Sequence, residues 1–465
     1  MKKISCVIQK NRYLVAIFLI AIVIRAVLVL SCFKDGKTLD GVMYHNLAVN
    51  VVLGNGYSDR ISPPYDPNFF REPAYPLFLA GGYVIWNSIF GKIHYLKSNI
   101  FSDKEYPEIV FLKFFQAIIG SVACGIFFLL LKECHIQHKI SFCIAAIYAT
   151  YIPLAIYSTQ IMRETFQTFT VILMSYFFAK YLIEERLRWL ILFSIFLAAS
   201  NMTLQVTIFI PILMAIFIYL KYRSFSKTIR DTVLSSVIMF LLISPWLVRS
   251  YAFYPDWRII KSLGVSLTYE QLKYASALLN LETHHLITKD EVTKLFHEEW
   301  YGISEREKFE KSFNGYFSTQ AKELQNQIRE SNILFQTATK IVSRFRIFWL
   351  ESLWVTAKNG RPYERPHTLY KQNKNYLFLL LSSSGFIFGY LAIPGIFLYY
   401  KRLFPSLLVF TYFLIFFYFI SGSPRHAYPV HAFIITFSCL SIITGYLWII
   451  KKKTLSEIKE YIFVT

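Results

Sequence analysis

Long apolar runs, about 18–23 residues each, alternate along this chain with short polar connectors. Coiled as α-helices, runs of that length match the hydrocarbon thickness of a bilayer. They predict crossings at 13–33, 109–131, 140–157, 165–182, 232–248, 376–399, 406–420 and 428–450. The run 189–220 is long enough for a tight hairpin of two short spans bending near Asn201, which brings the count to about ten. The run 75–91 is short and begins behind Pro73 and Pro76, so it predicts a helix lying in the interface instead of a crossing. Residues 41–53 predict a second interfacial helix. Val42, Leu47, Val51 and Leu53 recur there at helical spacing, and Gly54-Asn55-Gly56 ends the pattern.

The expected fold is therefore all-α and polytopic, with interfacial helices in a first outer loop, 34–108. Residues 1–248 form an N-terminal transmembrane module. Residues 249–375 form a mixed-charge outer region that reads mostly helical, with a capping box at 288–291. Residues 376–465 supply the last transmembrane helices and a tail.

Charge sets the orientation. Lys2, Lys3, Lys10 and Arg12 precede the first span, and basic residues crowd connectors 132–139, 221–230, 401–402 and 451–453. Lys and Arg mark the cytoplasmic side. All of these connectors fall inside only if 75–91 does not cross. Both termini are then cytoplasmic, and a bacterial inner membrane is the expected location. The net charge of +20 follows from these connectors, so nucleic acid is not the expected partner, while anionic lipid or a phosphate-bearing substrate is compatible. With 55% apolar and 18% aromatic residues, a soluble protein of 465 residues is excluded.

Residues 1–33 have a basic start and an apolar run, but the run is long enough to span and carries Arg25, which argues for a retained first span. The six cysteines show no disulfide or metal spacing. Cys134, His135 and His138 read as part of a basic connector, and His297-Glu298-Glu299 lacks the second histidine of a zinc-protease helix.

The other side carries the chemistry. Asp40, Arg71, Glu72, Arg163, Glu164, Arg249, Arg425 and His426 all fall at outer span ends or in outer loops. Ionisable groups at a bilayer boundary are costly unless they pair, bind or react. Taken singly, each has a plain structural reading. Asp40 is the N-cap of the first interfacial helix, Arg71 and Glu72 form a surface pair before the second, and Arg249 belongs to an aromatic belt with Trp246 and Tyr251. Arg25, about two turns inside the first span, reads as a buried partner for Glu164 or Asp40. Together they converge: carboxylates supply general bases, and guanidiniums neutralise phosphate through bidentate hydrogen bonds.

These segments resemble the GT-C glycosyltransferases, in particular the group containing protein O-mannosyltransferases and the lipid A aminoarabinose transferases. The resemblance rests on Arg25, Leu39-Asp40-Gly41-Val42-Met43-Tyr44-His45, Gly54-Asn55-Gly56-Tyr57-Ser58 and Arg71-Glu72-Pro73-Ala74-Tyr75-Pro76. It continues in Tyr157-Ser158, Arg163-Glu164 and Pro245-Trp246-Leu247-Val248-Arg249-Ser250-Tyr251. It covers residues 13–251 well and the remainder by architecture. It implies a GT-C-like bundle, a polyprenyl-phosphate sugar donor, inversion at the anomeric carbon and an extracytoplasmic active site. The acceptor is a glycan, lipid or protein. It also implies Asp40 as catalytic base and Glu164 as the second acid. Beside that, the residues themselves point to substrate held by Arg71, Glu72, Arg163, Arg249, Arg425, His426, Tyr44 and Tyr57, with Arg25 in support. Several members carry two adjacent acids in the first loop, whereas Gly41 follows Asp40 here. One loop acid argues against an obligatory divalent ion and leaves an optional one open; no other cofactor is assigned.

Two other classes fit such a chain. A lipid-linked glycan flippase or transporter predicts ionisable groups near mid-membrane on broken helices, and apart from Arg25 the charges here lie at the boundary. A polysaccharide polymerase or ligase also uses outer arginines, but the acidic first loop favours the GT-C reading.

Overall fold

A computed structural model of the chain describes residues 11–31, 39–68, 71–91, 106–253, 376–419 and 428–464. Among these, every regular element is a helix apart from one isolated bridge, Ile136 to Phe463. The first half holds α1 (Arg12–Ser31), α2 (Leu39–Leu53), α3 (Ala74–Phe90), α4 (Pro107–Glu133), α5 (His138–Ala149) and α6 (Ile152–Ile156). Next come α7 (Glu164–Glu184), α8 (Leu187–Asn201), α9 (Ile210–Tyr222) and α10 (Phe225–Phe253). Then follow α11 (Tyr376–Tyr399), α12 (Leu407–Phe419), α13 (Tyr428–Ile449) and α14 (Leu455–Ile462). The expected capping box at 288–291, most of the outer region 249–375, and Arg425 and His426 lie outside the described residues.

Among the described residues, five helical stretches are long and apolar enough to cross a bilayer: Arg12–Leu30, Pro107–Glu133, Glu164–Glu184, Phe225–Ala252 and Pro429–Ile449. The bent pair His138–Ala149 and Ile152–Thr159 passes the same test when its two pieces are taken together, and Leu187–Asn201, Ile210–Tyr222, Ile387–Tyr399 and Phe404–Phe413 are shorter apolar helices. The chain is a polytopic all-α membrane protein. The chain bends near Asn201 as expected, where α8 ends, but α8 and α9 do not form a tight hairpin: each packs on α10. The crossing expected as one run over 140–157 is instead broken by 51° after Ala149. Pro153, second in α6, forces that break because it has no N–H to continue the ladder.

The core runs through α1, α4, α7, α8 and α10, each packed on the next, with the α11–α13 pair joined to α7 through α13. Gly395 makes the α11–α13 crossing close: a Cβ there would collide with the backbone carbonyl of Phe437. Helices in lipid approach this tightly through small residues. At the end bearing the basic connectors, α14 opens with a Thr454/Glu457 capping box. Past its end, Val464 N–H donates to His135 O at 2.7 Å, and Gln137 N–H donates to Ile462 O at 2.8 Å. The 134–138 connector is thus a seat for the C-terminal helix.

Candidate active site

The site lies at the end of the bundle opposite those connectors and starts from two short helices packed on each other. α2 buries Tyr44, Leu47, Ala48 and Val49, while α3 buries Tyr75, Leu79, Ala80 and Tyr83. Tyr44 and Tyr75 meet edge to face, 5.0 Å between ring centroids. Tyr75 Oη donates to Gln116 Oε1 on α4 at 2.6 Å, and Gln116 Nε2 donates to Gln160 O at 2.8 Å. The two helices are thereby fastened to the transmembrane core. Ala74 N–H donates to Met202 O at 2.8 Å and fixes the start of α3 to the C-terminal end of α8.

Between α2 and α3 the chain doubles back. Gly54 and Gly56 take φ of 79° and 86°, the left-handed region that glycine enters without strain. Asn50 Nδ2 donates to the carbonyls of Ser58 (2.6 Å) and Arg60 (2.8 Å) and pins the returning strand of loop to α2. Tyr57 Oη lies 3.0 Å from the carbonyls of both Arg71 and Glu72, so a buried phenol supports the backbone that presents those two side chains.

Four charged side chains meet over this base in two ion pairs. Arg71 Nη2 donates to Asp40 Oδ1 at 2.5 Å, and Arg163 Nη1 donates to Glu72 Oε2 at 2.9 Å. Asp40 lies inside the first turn of α2, which starts at Leu39, and is not its N-cap as the sequence suggests. Arg163 is the N-cap of α7, and Glu164, only 5% exposed, is its first residue. The pairs differ in access: the Asp40 and Arg71 side chains are each 19% exposed, against 9% for Glu72 and 11% for Arg163. Asp40 is therefore the more open of the two paired carboxylates.

Tyr44 sits among all four. Its ring lies under the Arg71 guanidinium, 5.1 Å from centroid to Cζ. Burial pushes its pKa up to about 12; Arg163 and Arg71 pull it down, and Asp40 and Glu72 push it up. The phenol stays protonated at physiological pH, and its hydroxyl has no hydrogen-bond partner among the described residues. Burial also raises the Tyr75 phenol, and Glu164 and Tyr44 add to that rise, which places Glu164 in the same electrostatic cluster. For Arg163, burial would lower the pKa, but Tyr44, Glu72 and Glu164 outweigh it and the guanidinium remains charged.

Arg249 closes one side. Its Nη1 donates to Asn68 O at 3.4 Å, and its guanidinium lies over Trp246 (4.4 Å) and Tyr57 (5.3 Å). Asn68 Oδ1 accepts from the Arg71 backbone N–H at 3.1 Å, so one asparagine links both arginines. Trp246 packs into the site against Tyr57, 4.8 Å between centroids, rather than serving only as an interfacial anchor.

Asp40, Tyr44, Tyr57, Arg71, Glu72, Arg163, Glu164 and Arg249 thus come together. Arg25 does not join them as an ion-pair partner. Its hydrogen bonds run to the carbonyls of Ala21 and Ala149 and to Cys124 Sγ, because its side chain lies against the end of α5. Tyr75, Gln116, Gln160, Asn68 and Trp246 were not anticipated as parts of the site. Gln116 carried a readable signal, an amide inside an apolar span; Tyr75 was one of 32 tyrosines. Among the described residues no three His, Cys, Asp or Glu side chains form a group able to hold a metal.

Residues 98–248 match the family model described as dolichyl-phosphate-mannose-protein mannosyltransferase. The chain resembles the GT-C membrane glycosyltransferases. The matched segment contains α4 to α9 and most of α10, and therefore Gln116, Gln160, Arg163, Glu164 and Trp246. Among solved structures, the fold is similar to the Archaeoglobus fulgidus oligosaccharyltransferase in its apo form. That likeness has 14% identity and a TM-score of 0.47, covering 95% of this chain and 52% of that one. It is also similar to ArnT from Cupriavidus metallidurans bound to undecaprenyl phosphate (12% identity, TM-score 0.41, 94% of this chain and 79% of that one). A third is the S. cerevisiae protein O-mannosyltransferase Pmt1-Pmt2 complex bound to the sugar donor (16% identity, TM-score 0.38, 54% of this chain and 35% of that one). The chain thus spans about a third of the yeast relative's length and about half of the archaeal one's. No curated protein matches it in sequence.

Proposed function

We propose that this chain is a glycosyltransferase that moves a sugar from a polyprenyl-phosphate donor to a hydroxyl or amine of a glycan, lipid or protein acceptor. The reading includes about ten crossings, with α2 and α3 in the outer interface, both termini cytoplasmic and the site on the extracytoplasmic face of a bacterial inner membrane. The observation that carries it is the meeting of the Asp40–Arg71 and Glu72–Arg163 pairs around the Tyr44 phenol, next to Glu164.

In the proposed reaction Asp40, the more accessible paired carboxylate, takes the proton of the acceptor as its oxygen or nitrogen attacks the anomeric carbon. The bond from that carbon to the phosphate oxygen breaks on the opposite face, so configuration inverts. Both electrons of that bond leave with the lipid phosphate. Arg71, Arg163 and Arg249, with Arg425, stabilise its charge. A guanidinium has five donors, so a single carboxylate contact does not exhaust it. Glu164 orients the acceptor or an arginine. Glu72 keeps Arg163 in register, and Tyr57 supports the backbone of Arg71 and Glu72. Nothing in this sequence of steps requires a divalent ion.

The test is direct. Purified protein in proteoliposomes, given polyprenyl-phosphate sugars and membrane extract as acceptor, should release polyprenyl phosphate. Cells lacking the gene should lose one sugar from a surface glycan or lipid by mass spectrometry. Accumulation of long-chain lipid-linked intermediates, with no single sugar missing, would replace this reading by a polymerase or flippase.

A further inference from the structure

Arg25 is 1% exposed, yet its hydrogen bonds meet only neutral groups. A cation buried in a membrane protein needs a compensating partner, and the end of α5 provides it. Each of the last four α5 carbonyls has a donor. Ala146 O accepts from Thr150 N–H at 2.9 Å, Ile147 O from the Thr150 hydroxyl at 3.0 Å, and Tyr148 O from Tyr151 N–H at 3.2 Å. Ala149 O accepts from Arg25 Nη1 at 3.4 Å. In an uninterrupted helix Ala149 O would accept from the N–H of residue 153. That residue is Pro153, which has none and whose ring displaces the carbonyl. The orphaned carbonyl also lies at the negative pole of a half-helix, where a cation is favoured.

The same guanidinium reaches the functional end of the bundle. A Cβ on Gly120 would lie 2.9 Å from Arg25 Nε and 3.2 Å from both Ser158 Oγ and Thr165 Cγ2. The missing side chain at Gly120 is the gap where α1, the turn after the break and the first turn of α7 meet. Thr165 follows Glu164, and Ser158 lies two residues before Gln160, whose carbonyl holds Gln116.

We infer that Arg25 is a positioning residue for the transfer reaction. It supplies the hydrogen bond that Pro153 withholds, sets the angle of the break, and thereby fixes Arg163 and Glu164 at the start of α7. This rests on the proposed glycosyl transfer. The fork geometry matters, because Nη1 and Nη2 reach acceptors on α1, α5 and α4 at once, which a lysine ammonium cannot reproduce.

The experiment compares Arg25→Met, Arg25→Lys, Pro153→Ala, the Arg25→Met/Pro153→Ala double variant and Gly120→Ala in proteoliposomes. Rates are normalised to folded protein by size-exclusion chromatography. Arg25→Met should lower kcat about 10–100-fold, the scale of a small misplacement of a reacting group, with little change in KM for the lipid donor. Arg25→Lys should recover only part of that loss. Pro153→Ala restores the missing N–H, so adding Arg25→Met to it should cost much less than Arg25→Met alone. Should Arg25→Met not fold, Gly120→Ala keeps the charge, displaces the guanidinium and should show the same fall in kcat. Wild-type kcat per folded molecule in Arg25→Met or Gly120→Ala, or fully multiplicative effects of Arg25 and Pro153, overturns this inference alone. A wild-type protein that transfers nothing overturns the functional reading as well.

Discussion

Arg163, the N-cap residue of α7, donates from Nη1 to Glu72 Oε2 at 2.9 Å and so ties the transmembrane core to the loop before α3. Both side chains are nearly buried, so removing one leaves a charge without its counter-ion. Glu72→Gln or Arg163→Met should each cost about 3–5 kcal/mol, whereas Glu72→Leu with Arg163→Met should cost less than either. Unfolding of the purified protein in detergent, followed by tryptophan fluorescence, measures this. Equal losses in the single and double variants would show that the pair is not the cause.

Asp40→Asn is nearly isosteric and keeps an oxygen to accept from Arg71, which lies 2.5 Å away in the native pair. The variant should fold and still bind lipid donor, but its transfer rate should fall about 10²–10⁴-fold, the usual contribution of a general base. Full activity would remove Asp40 from the mechanism.

The Tyr44 hydroxyl is buried, protonated and without a hydrogen-bond partner among the described residues, at the centre of the two ion pairs. We propose that in the transfer reaction this hydroxyl adds a hydrogen bond to the departing phosphate. Tyr44→Phe keeps the ring under Arg71 and deletes only that donor. A hydrogen bond to a charged group contributes about 1.5–3 kcal/mol, so kcat/KM should fall roughly 10–100-fold with the melting temperature unchanged or raised. A melting temperature that drops with unchanged kcat/KM would assign the hydroxyl to folding.

Burial holds His45 neutral and lowers its pKa from 6.5 to about 3; its Nδ1 faces the Tyr83 hydroxyl. The unfolded chain takes up this proton near pH 6.5, and the folded chain resists it until about pH 3. The stabilising contribution is therefore complete above pH 6.5 and declines as pH falls towards 3, by about 1.4 kcal/mol per pH unit from this group. A His45→Phe/Tyr83→Phe variant should lack that part of the slope between pH 6 and 4 in detergent unfolding. An identical slope in variant and wild type would place the acid sensitivity elsewhere.

Gly395→Ala should loosen the α11–α13 pair, because the added methyl meets backbone at Phe437 and not a side chain that can swing away. Overpacking of this kind costs about 1–3 kcal/mol. Gly445→Ala, which meets nothing within 4 Å, is the control. Equal melting temperatures for the two variants would contradict the packing argument.

Much of the fold was legible in the chain. The apolar runs, the bend at Asn201 and the two short helices of the first loop are local patterns, and the bounds of α2, α3, α8 and α9 follow them closely. The clustering of Asp40, Arg71, Glu72, Arg163, Glu164 and Arg249 was also readable, because alternating crossings leave successive span ends on one side. The break after Ala149 was missed, although Pro153 marked it, because the run around it is apolar enough to pass for one span. The partner of Arg25 is illegible for a related reason: its hydrogen bonds go to Ala21 O, Ala149 O and Cys124 Sγ instead of to Glu164 or Asp40. An arginine in a span advertises a need for a partner without naming it, and a backbone carbonyl freed by a proline on another helix has no signature of its own.

The sequence by itself determined the helices and the end of the bundle at which Asp40, Arg71, Glu72, Arg163, Glu164 and Arg249 collect, since hydrophobic length acts over one span at a time. Only the tertiary structure decided that Arg71 takes Asp40 across 31 positions, that Arg163 takes Glu72 across 91, and that Arg25 takes a carbonyl across 124. A hydrogen bond is chosen by distances of a few tenths of an ångström, and those are set only when helices far apart in the chain pack against one another.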